Sequence, residues 1–125
     1  MKIGEINTRE KVLIIAEIGN NHEGSFSLAE EMIGLAAESG ADAVKFQTII
    51  PEKLVSIQQT ERILQLKKFQ LSYDEYLKIS KVASNEGVIF LSTPFNIESA
   101  LFLNELVPAF KIASGDNDFY PLIEV

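Results

Sequence analysis

The chain contains no cysteine and no long hydrophobic run. Without cysteine there is no disulfide framework, no thiol chemistry and no zinc site built on thiolates, which suits a reducing compartment. No apolar stretch approaches the roughly 20 residues that a membrane-spanning helix needs. The segment 1–5 also lacks the apolar stretch of a signal peptide. We therefore expect a cytoplasmic protein that does not interact with membranes.

Basic residues are outnumbered by acidic ones, and the net charge is −7. A broad nucleic-acid surface is normally basic, so we expect no nucleic-acid partner. A small anionic ligand remains compatible, since two lysines in one cleft can outweigh the global charge. His22 is the only histidine, and no cluster of His, Asp and Glu has the spacing of metal ligands. We expect no metal site within these residues.

Short apolar runs alternate with helical patterns along the chain. The strand candidates are 11–16, 43–47, 88–92 and 109–113. Helices are predicted to begin at capping-box spacings in 27–30 and 72–75, near Asn96, and within 61–69 and 120–125. Strands that alternate with helices predict βαβ units in a parallel sheet. The 125 residues fit one domain with no internal boundary.

Four parallel strands make only half of a (β/α)8 barrel. A half barrel leaves two open sheet edges and uncovered apolar surface. We therefore expect the chain to be the N-terminal part of a larger protein or a shortened version of one. The alternative is a small open sheet that covers itself by dimerising.

Polar or charged residues stand at the end of every predicted strand. They are Glu17, Lys45, Gln47, Thr93, Lys111 and Ser114. In parallel α/β folds, ligands bind where the carboxyl ends of the strands meet. The pattern therefore predicts a ligand site at that edge of the sheet.

Each of these residues also has a structural interpretation. Lys45 and Lys111, projecting into one mouth, favour a bound phosphate or carboxylate, but each could instead reach the rim or pair with Glu17. Thr93 and Ser114 could donate to phosphate oxygens or simply form turns. A carboxylate such as Glu17 can handle a proton or orient water. A lone loop histidine such as His22 is more often a hydrogen-bonding residue than a metal ligand.

Four ordered segments together resemble one family, the N-acetylneuraminate (sialic acid) synthases. The segments are 14–24 (IIAEIGNNHEG), 40–48 (GADAVKFQT), 90–95 (FLSTPF) and 108–116 (PAFKIASGD). The resemblance covers nearly the whole chain from about Lys11. It implies the N-terminal half of a (β/α)8 TIM barrel.

The family condenses phosphoenolpyruvate with an N-acyl hexosamine, typically N-acetylmannosamine, to a nine-carbon 2-keto sugar acid and releases phosphate. By resemblance, Lys45, Thr93, Lys111 and Ser114 would bind phosphoenolpyruvate. Gln47 would lie near the aldehyde sugar, and Glu17 would be catalytic, handling a proton or water beside the reacting carbons.

The family also uses a divalent metal, usually Mn²⁺, held by histidines on later strands. Its C-terminal antifreeze-like domain reaches the partner's active site in a homodimer. Neither the metal ligands nor that domain occurs in these residues, so we expect the chain to be inactive alone.

Three alternatives remain open. The sugar could be the precursor of legionaminate, pseudaminate or a spore-coat polysaccharide, with its preference set within residues 48–71. Lys45 or Lys111 could instead act as the Schiff-base lysine of an aldolase. The chain could also be a non-catalytic module for anion binding or assembly.

Overall fold

A parallel sheet carries helices on one face in the computed structural model, which describes all 125 residues. The strands are β1 (Lys2–Ile3), β2 (Ile6–Asn7), β3 (Ile15–Gly19), β4 (Ala43–Thr48) and β5 (Ile89–Pro94). The helices are α1 (Phe26–Glu38), α2 (Pro51–Leu54), α3 (Thr60–Lys67), α4 (Tyr73–Asn85), α5 (Ile97–Leu103) and α6 (Tyr120–Ile123). Strands β3, β4 and β5 are parallel and adjacent in that order, while β1 and β2 form an antiparallel hairpin. The predicted parallel α/β class is confirmed.

Local capping chemistry starts the longer helices. The Ser72 hydroxyl accepts from the Glu75 N–H, and the Glu75 carboxylate accepts from the Ser72 N–H at 2.7 Å, which completes the predicted capping box of α4. Helix α5 begins after Asn96, as predicted. Helix α1 begins earlier than predicted, because Ser25 rather than Ser27 is its N-cap, and the Ser25 hydroxyl accepts from the Leu28 N–H.

The two faces of the sheet differ in chemistry. Val44 and Phe46 of β4 and Phe90 of β5 point to the helices and form the main core with α1 and α4. Lys45 and Gln47 alternate with them and therefore belong to the opposite, inner face. Burial of Val44 and Phe46 against the helices thus places Lys45 and Gln47 on the inner face.

The N-terminal hairpin covers one end of this inner face. Ile3 of β1 packs with Ala43 and Leu91 in a second, smaller apolar cluster. Gly4 forms the hairpin turn with a φ of +56°, a conformation that glycine adopts readily. The hairpin gives the inner face an apolar floor at the amino ends of β4 and β5.

The first of the predicted strands lies later in the chain than expected. It corresponds to β3, which spans Ile15–Gly19 rather than 11–16, so Glu17 lies within it. Its partner β4 begins only at Ala43, where the Asp42 and Ala43 N–H groups donate to the Ile14 carbonyl. Residues before Ile14 therefore have no neighbouring strand, and Lys11 pairs with the Asp42 carboxylate instead.

The predicted strand 109–113 is wrong for this structure, because the segment forms no ladder with β5. Such a segment would gain hydrogen bonds from one neighbour only, and its Phe110 and Lys111 are exposed. The chain then turns through a 3₁₀ helix at Ser114–Asp116 into α6. No helix has the length and apolarity to cross a bilayer.

Candidate functional site

A cavity of about 330 Å³ opens on the inner face of the sheet, above the hairpin. Its lining is mainly apolar, and three of the nine residues have charged side chains: Met1, Ile3, Ile15, Glu17, Lys45, Leu91, Ala109, Phe110 and Lys111. An apolar cavity with a few convergent polar groups is the usual form of a small-molecule site. The fold brings Glu17, Lys45 and Lys111 together in the lining of this cavity.

Lys45 forms an ion pair with Glu17 across neighbouring strands. The two residues are direct partners in the parallel register of β3 and β4, which places their side chains side by side. The Lys45 side chain is only 13% exposed, whereas that of Glu17 is 53% exposed. The ion-pairing interpretation of Lys45 thus holds in this structure, and Lys45 also belongs to the lining of the cavity.

Lys111 reaches the same cavity from outside the sheet. It is exposed, and its ammonium donates to the neighbouring Ile112 carbonyl rather than to a carboxylate. The cavity lining therefore holds two lysines against one glutamate, although the chain as a whole is acidic. A local excess of positive charge in an apolar cleft favours an anionic ligand.

Polar residues occupy the carboxyl end of the inner face. Asn20 Nδ2 donates to Gln47 Oε1 at 2.9 Å. Thr93 of β5 is buried and stands opposite Gln47 in the register. From this end towards the amino ends of the strands, the inner face carries first the Asn20 and Gln47 amides and the Thr93 hydroxyl. The Glu17–Lys45 ion pair comes next, and the apolar residues beside the hairpin come last.

Two of the predicted phosphoenolpyruvate residues do not line the cavity. Thr93 lies on the same face of β5, two residues beyond Leu91. Ser114 is exposed at the start of the 3₁₀ helix, because the chain around it does not join the sheet. The structure therefore gathers Glu17, Lys45 and Lys111, places Gln47 and Thr93 beside each other, and leaves Ser114 apart.

The residues do not fit a metal centre. No group of three or more His, Cys, Asp or Glu side chains is arranged to hold an ion. His22 is fully buried, its Nδ1 accepts from the Gly24 N–H at 3.1 Å, and its ring lies 5.8 Å from that of Phe46. Burial lowers the pKa of His22 below its ordinary value, while the Glu75 charge opposes that shift. His22 is part of the packed structure beneath the loop between β3 and α1.

Two features escaped sequence reasoning. Asn20 contacts Gln47 across 27 residues of chain, and no local pattern signals such a pair. The hairpin below the cavity has strands of only two residues, which are too short to show an alternating pattern. The glycine turn between Ile3 and Ile6 was a signal that could have revealed it.

Comparison with known proteins places this geometry in context. Residues 32–125 match the model of the NeuB family. The chain is 37% identical over 140 residues to pseudaminic acid synthase of Campylobacter jejuni and 39% identical over 129 residues to N,N'-diacetyllegionaminic acid synthase of the same species. These alignments cover 98% and 92% of the chain.

A solved structure shares the fold. The N-acetylneuraminic acid (sialic acid) synthetase of Leptospira borgpetersenii, in complex with citrate, superposes with a TM-score of 0.90 at 32% identity and covers 99% of this chain. The chain spans 44% of that structure, and 41% and 39% of the two Campylobacter relatives. It thus corresponds to less than half the length of each of these proteins.

Proposed function

Because the chain belongs to the NeuB family, we propose that it forms the phosphoenolpyruvate-binding, N-terminal part of a sugar acid synthase barrel. Relatives named for sialic, legionaminic and pseudaminic acids support this class of product. The proposed reaction condenses phosphoenolpyruvate with an N-acyl hexosamine to a nine-carbon 2-keto sugar acid and phosphate. Residues 1–125 would be one partial barrel domain, completed by strands outside them.

The observation that carries the proposal is the convergence of Lys45, Lys111 and Glu17 on one cavity. Phosphoenolpyruvate bears a carboxylate and a phosphate, and the two ammonium groups match these in number and sign. Hydrogen bonds from charged donors contribute roughly 1.5–3 kcal/mol each, more than neutral ones. The apolar walls would strengthen this attraction by excluding water.

In the proposed reaction, C3 of phosphoenolpyruvate attacks the sugar aldehyde and forms the new C–C bond. The aldehyde oxygen takes up a proton, water adds at C2, and phosphate leaves with the former bridging oxygen as the C2–O bond breaks. Glu17 would handle a proton or orient the water beside the reacting carbons. The lysines would stabilise the charge that develops on the departing phosphate.

Thr93, Ser114 and Gln47 extend this proposal beyond the cavity. Thr93 and Ser114 would add hydroxyl donors to phosphoenolpyruvate, which for Ser114 requires the segment 109–113 to move into the sheet as a fourth strand. Gln47 would contact the sugar. The sugar itself is proposed as N-acetylmannosamine, with the legionaminate and pseudaminate precursors as alternatives within the family.

Mn²⁺ would be the expected metal, and its ligands would have to come from outside these residues, since none here fit it. A homodimer and a cytoplasmic location complete the proposal. A Schiff-base mechanism is less favoured, because Lys45 would first have to leave its ion pair with Glu17 and lose a proton.

The test is isotopic. A complete barrel protein containing this chain would be incubated with Mn²⁺, a panel of N-acyl hexosamines and phosphoenolpyruvate labelled with ¹⁸O at the bridging oxygen. We expect sugar-dependent phosphate release with the label in the phosphate. Label retained in pyruvate would indicate a phosphatase, and a pyruvate adduct trapped by borohydride would indicate the aldolase. Either result, or no turnover with any sugar, would refute the proposal.

A further inference from the structure

The side-chain amide of Gln47 is oriented by a second amide, that of Asn20. Asn20 Nδ2 donates to Gln47 Oε1 at 2.9 Å, so the oxygen of the Gln47 amide is already engaged. Its Nε2 group is then the end left to act as a donor. A side-chain amide can present either its donor or its acceptor to a ligand. The hydrogen bond from Asn20 determines which of the two Gln47 presents.

The main chain of Gln47 is fixed from the other side of the sheet. The buried Tyr76 hydroxyl donates to the Gln47 carbonyl at 2.8 Å. Strand pairing with Thr93 holds the same residue in register. With the backbone fixed in this way, rotation of the side-chain amide is the freedom that Asn20 restricts.

Gly19 leaves room next to the donor end of this amide. A Cβ atom built on Gly19 would lie 3.4 Å from Glu17 Oε1 and 3.8 Å from Gln47 Nε2. A side chain there would contact both groups. The proposed catalytic carboxylate and the donor amide therefore both lie next to Gly19.

Asn20 is costly for the fold in one respect. Its Oδ1 is buried and has no hydrogen-bond partner. A buried, unpaired acceptor lowers stability, so the amide is poorly explained by stability alone.

We propose that Asn20 is a positioning residue that makes Gln47 a hydrogen-bond donor, so that the site selects an acceptor oxygen of the aldehyde sugar beside Glu17. This inference rests on the proposed function and adds the polarity of the sugar contact. The acceptor would be the aldehyde oxygen or a hydroxyl oxygen next to it.

The decisive variant is Asn20→Asp in the complete barrel protein. A carboxylate at position 20 repels Gln47 Oε1 and accepts from Nε2, which reverses the amide and presents an acceptor to the sugar. We expect the KM for the sugar to rise by about tenfold or more, while the KM for phosphoenolpyruvate stays within about threefold. In a Gln47→Met background, which lacks the amide and carries no charge, Asn20→Asp should add little.

Asn21→Asp is the matched control. It introduces the same charge in the same loop, but Asn21 Nδ2 donates to the Ile18 carbonyl and not to Gln47. Equal effects of the two variants, or equal rises in both KM values for Asn20→Asp, would overturn the inference while leaving the proposed function standing. If Asn20→Asp does not fold, Asn20→Ser is judged by the same KM ratio. A wild-type protein without turnover on any sugar refutes the proposed function itself, and the inference with it.

Discussion

Lys45 is the charged residue on which most of the proposed chemistry depends. Its side chain is only 13% exposed, pairs with Glu17 and lines a mainly apolar cavity, where an anion would find little competing water. A buried charge of this kind is costly unless it has a partner. Glu17 supplies that partner in this structure, and an anionic ligand would supply a second one.

We expect Lys45→Met to weaken phosphoenolpyruvate binding by about 10- to 100-fold, because a charge-assisted hydrogen bond is lost. The KM for phosphoenolpyruvate in the complete barrel protein is the measurement. Lys53→Met is the control, since Lys53 also forms an ion pair, with Glu98, but does not line the cavity. Equal KM values for Lys45→Met and wild type would remove Lys45 from the site.

His22 predicts a pH dependence of stability. Its folded pKa is lowered by burial, so the unfolded chain binds the proton more readily. The free energy of unfolding should therefore be highest above the ordinary value of 6.5 and fall as the pH drops towards the folded value. Urea denaturation at pH 7.5 and 5.5 measures this difference, with a slope of at most about 1.4 kcal/mol per pH unit.

The control for this prediction is His22→Asn, whose side-chain oxygen can replace Nδ1 as the acceptor for Gly24. As His22 is the only histidine, the variant should show a flatter pH dependence across this window. The lowered pKa values of Asp42, Glu52 and Glu75, caused mainly by hydrogen bonds, place their titration at lower pH. An identical slope in wild type and variant would exclude His22 as the source.

At the scale of elements, the loop between β3 and α1 fits closely against the end of α3. Gly24 has a φ of +79°, and a Cβ built on it would lie 2.0 Å from the Lys68 carbonyl oxygen. We expect Gly24→Ala to lower the free energy of unfolding by more than about 2 kcal/mol, through backbone strain and this clash. Chemical denaturation measures the change.

Gly34→Ala provides the contrasting substitution. Gly34 lies inside α1 with nothing within 4 Å of a built Cβ. Alanine there should raise stability by about 0.5–1 kcal/mol, because glycine is a poor helix former. If both alanines had the same effect, close packing at Gly24 would be disproved.

The elements that sequence predicts well are those decided locally. The alternation of Val44 and Phe46 with Lys45 predicts the two faces of β4, and Ser72 with Glu75 predicts the start of α4. Elements that depend on distant partners are less accessible. The segment 109–113 has strand-like composition, but a strand needs a ladder, which β5 does not form with it here. The Asn20–Gln47 contact likewise depends on the sheet register.

At the scale of the whole molecule, the sheet has two unpaired edges and exposed apolar side chains. Val12 is 75% exposed and Ile14 54% exposed in the segment that leads into the edge strand β3. Such surface is normally covered by further structure or by a partner. The relatives, which are more than twice as long, have additional chain that could cover it.

We expect the 125-residue chain alone to release no phosphate from phosphoenolpyruvate and N-acetylmannosamine, even with Mn²⁺ present, because it offers only part of the proposed site. Phosphate assay of the purified chain tests this, with a complete barrel protein assayed in parallel. Light scattering on the same sample would report whether the exposed edges pair two copies. Turnover by the chain at the rate of the complete protein would contradict the prediction.

A small irregularity in β3 has consequences for every side chain that follows it. The register shifts between Glu17 and Gly19, so that Glu17 pairs with Lys45 and Gly19 with Phe46. Successive strand residues alternate between faces, and one extra residue changes the parity of all later positions. Without it Asn20 would be level with Thr48, on the helix side, and could not contact Gln47. The irregularity therefore sets the chemistry of the inner face as well as the course of the strand, because a regular ladder in the same sequence would turn the Asn20 amide away from the site.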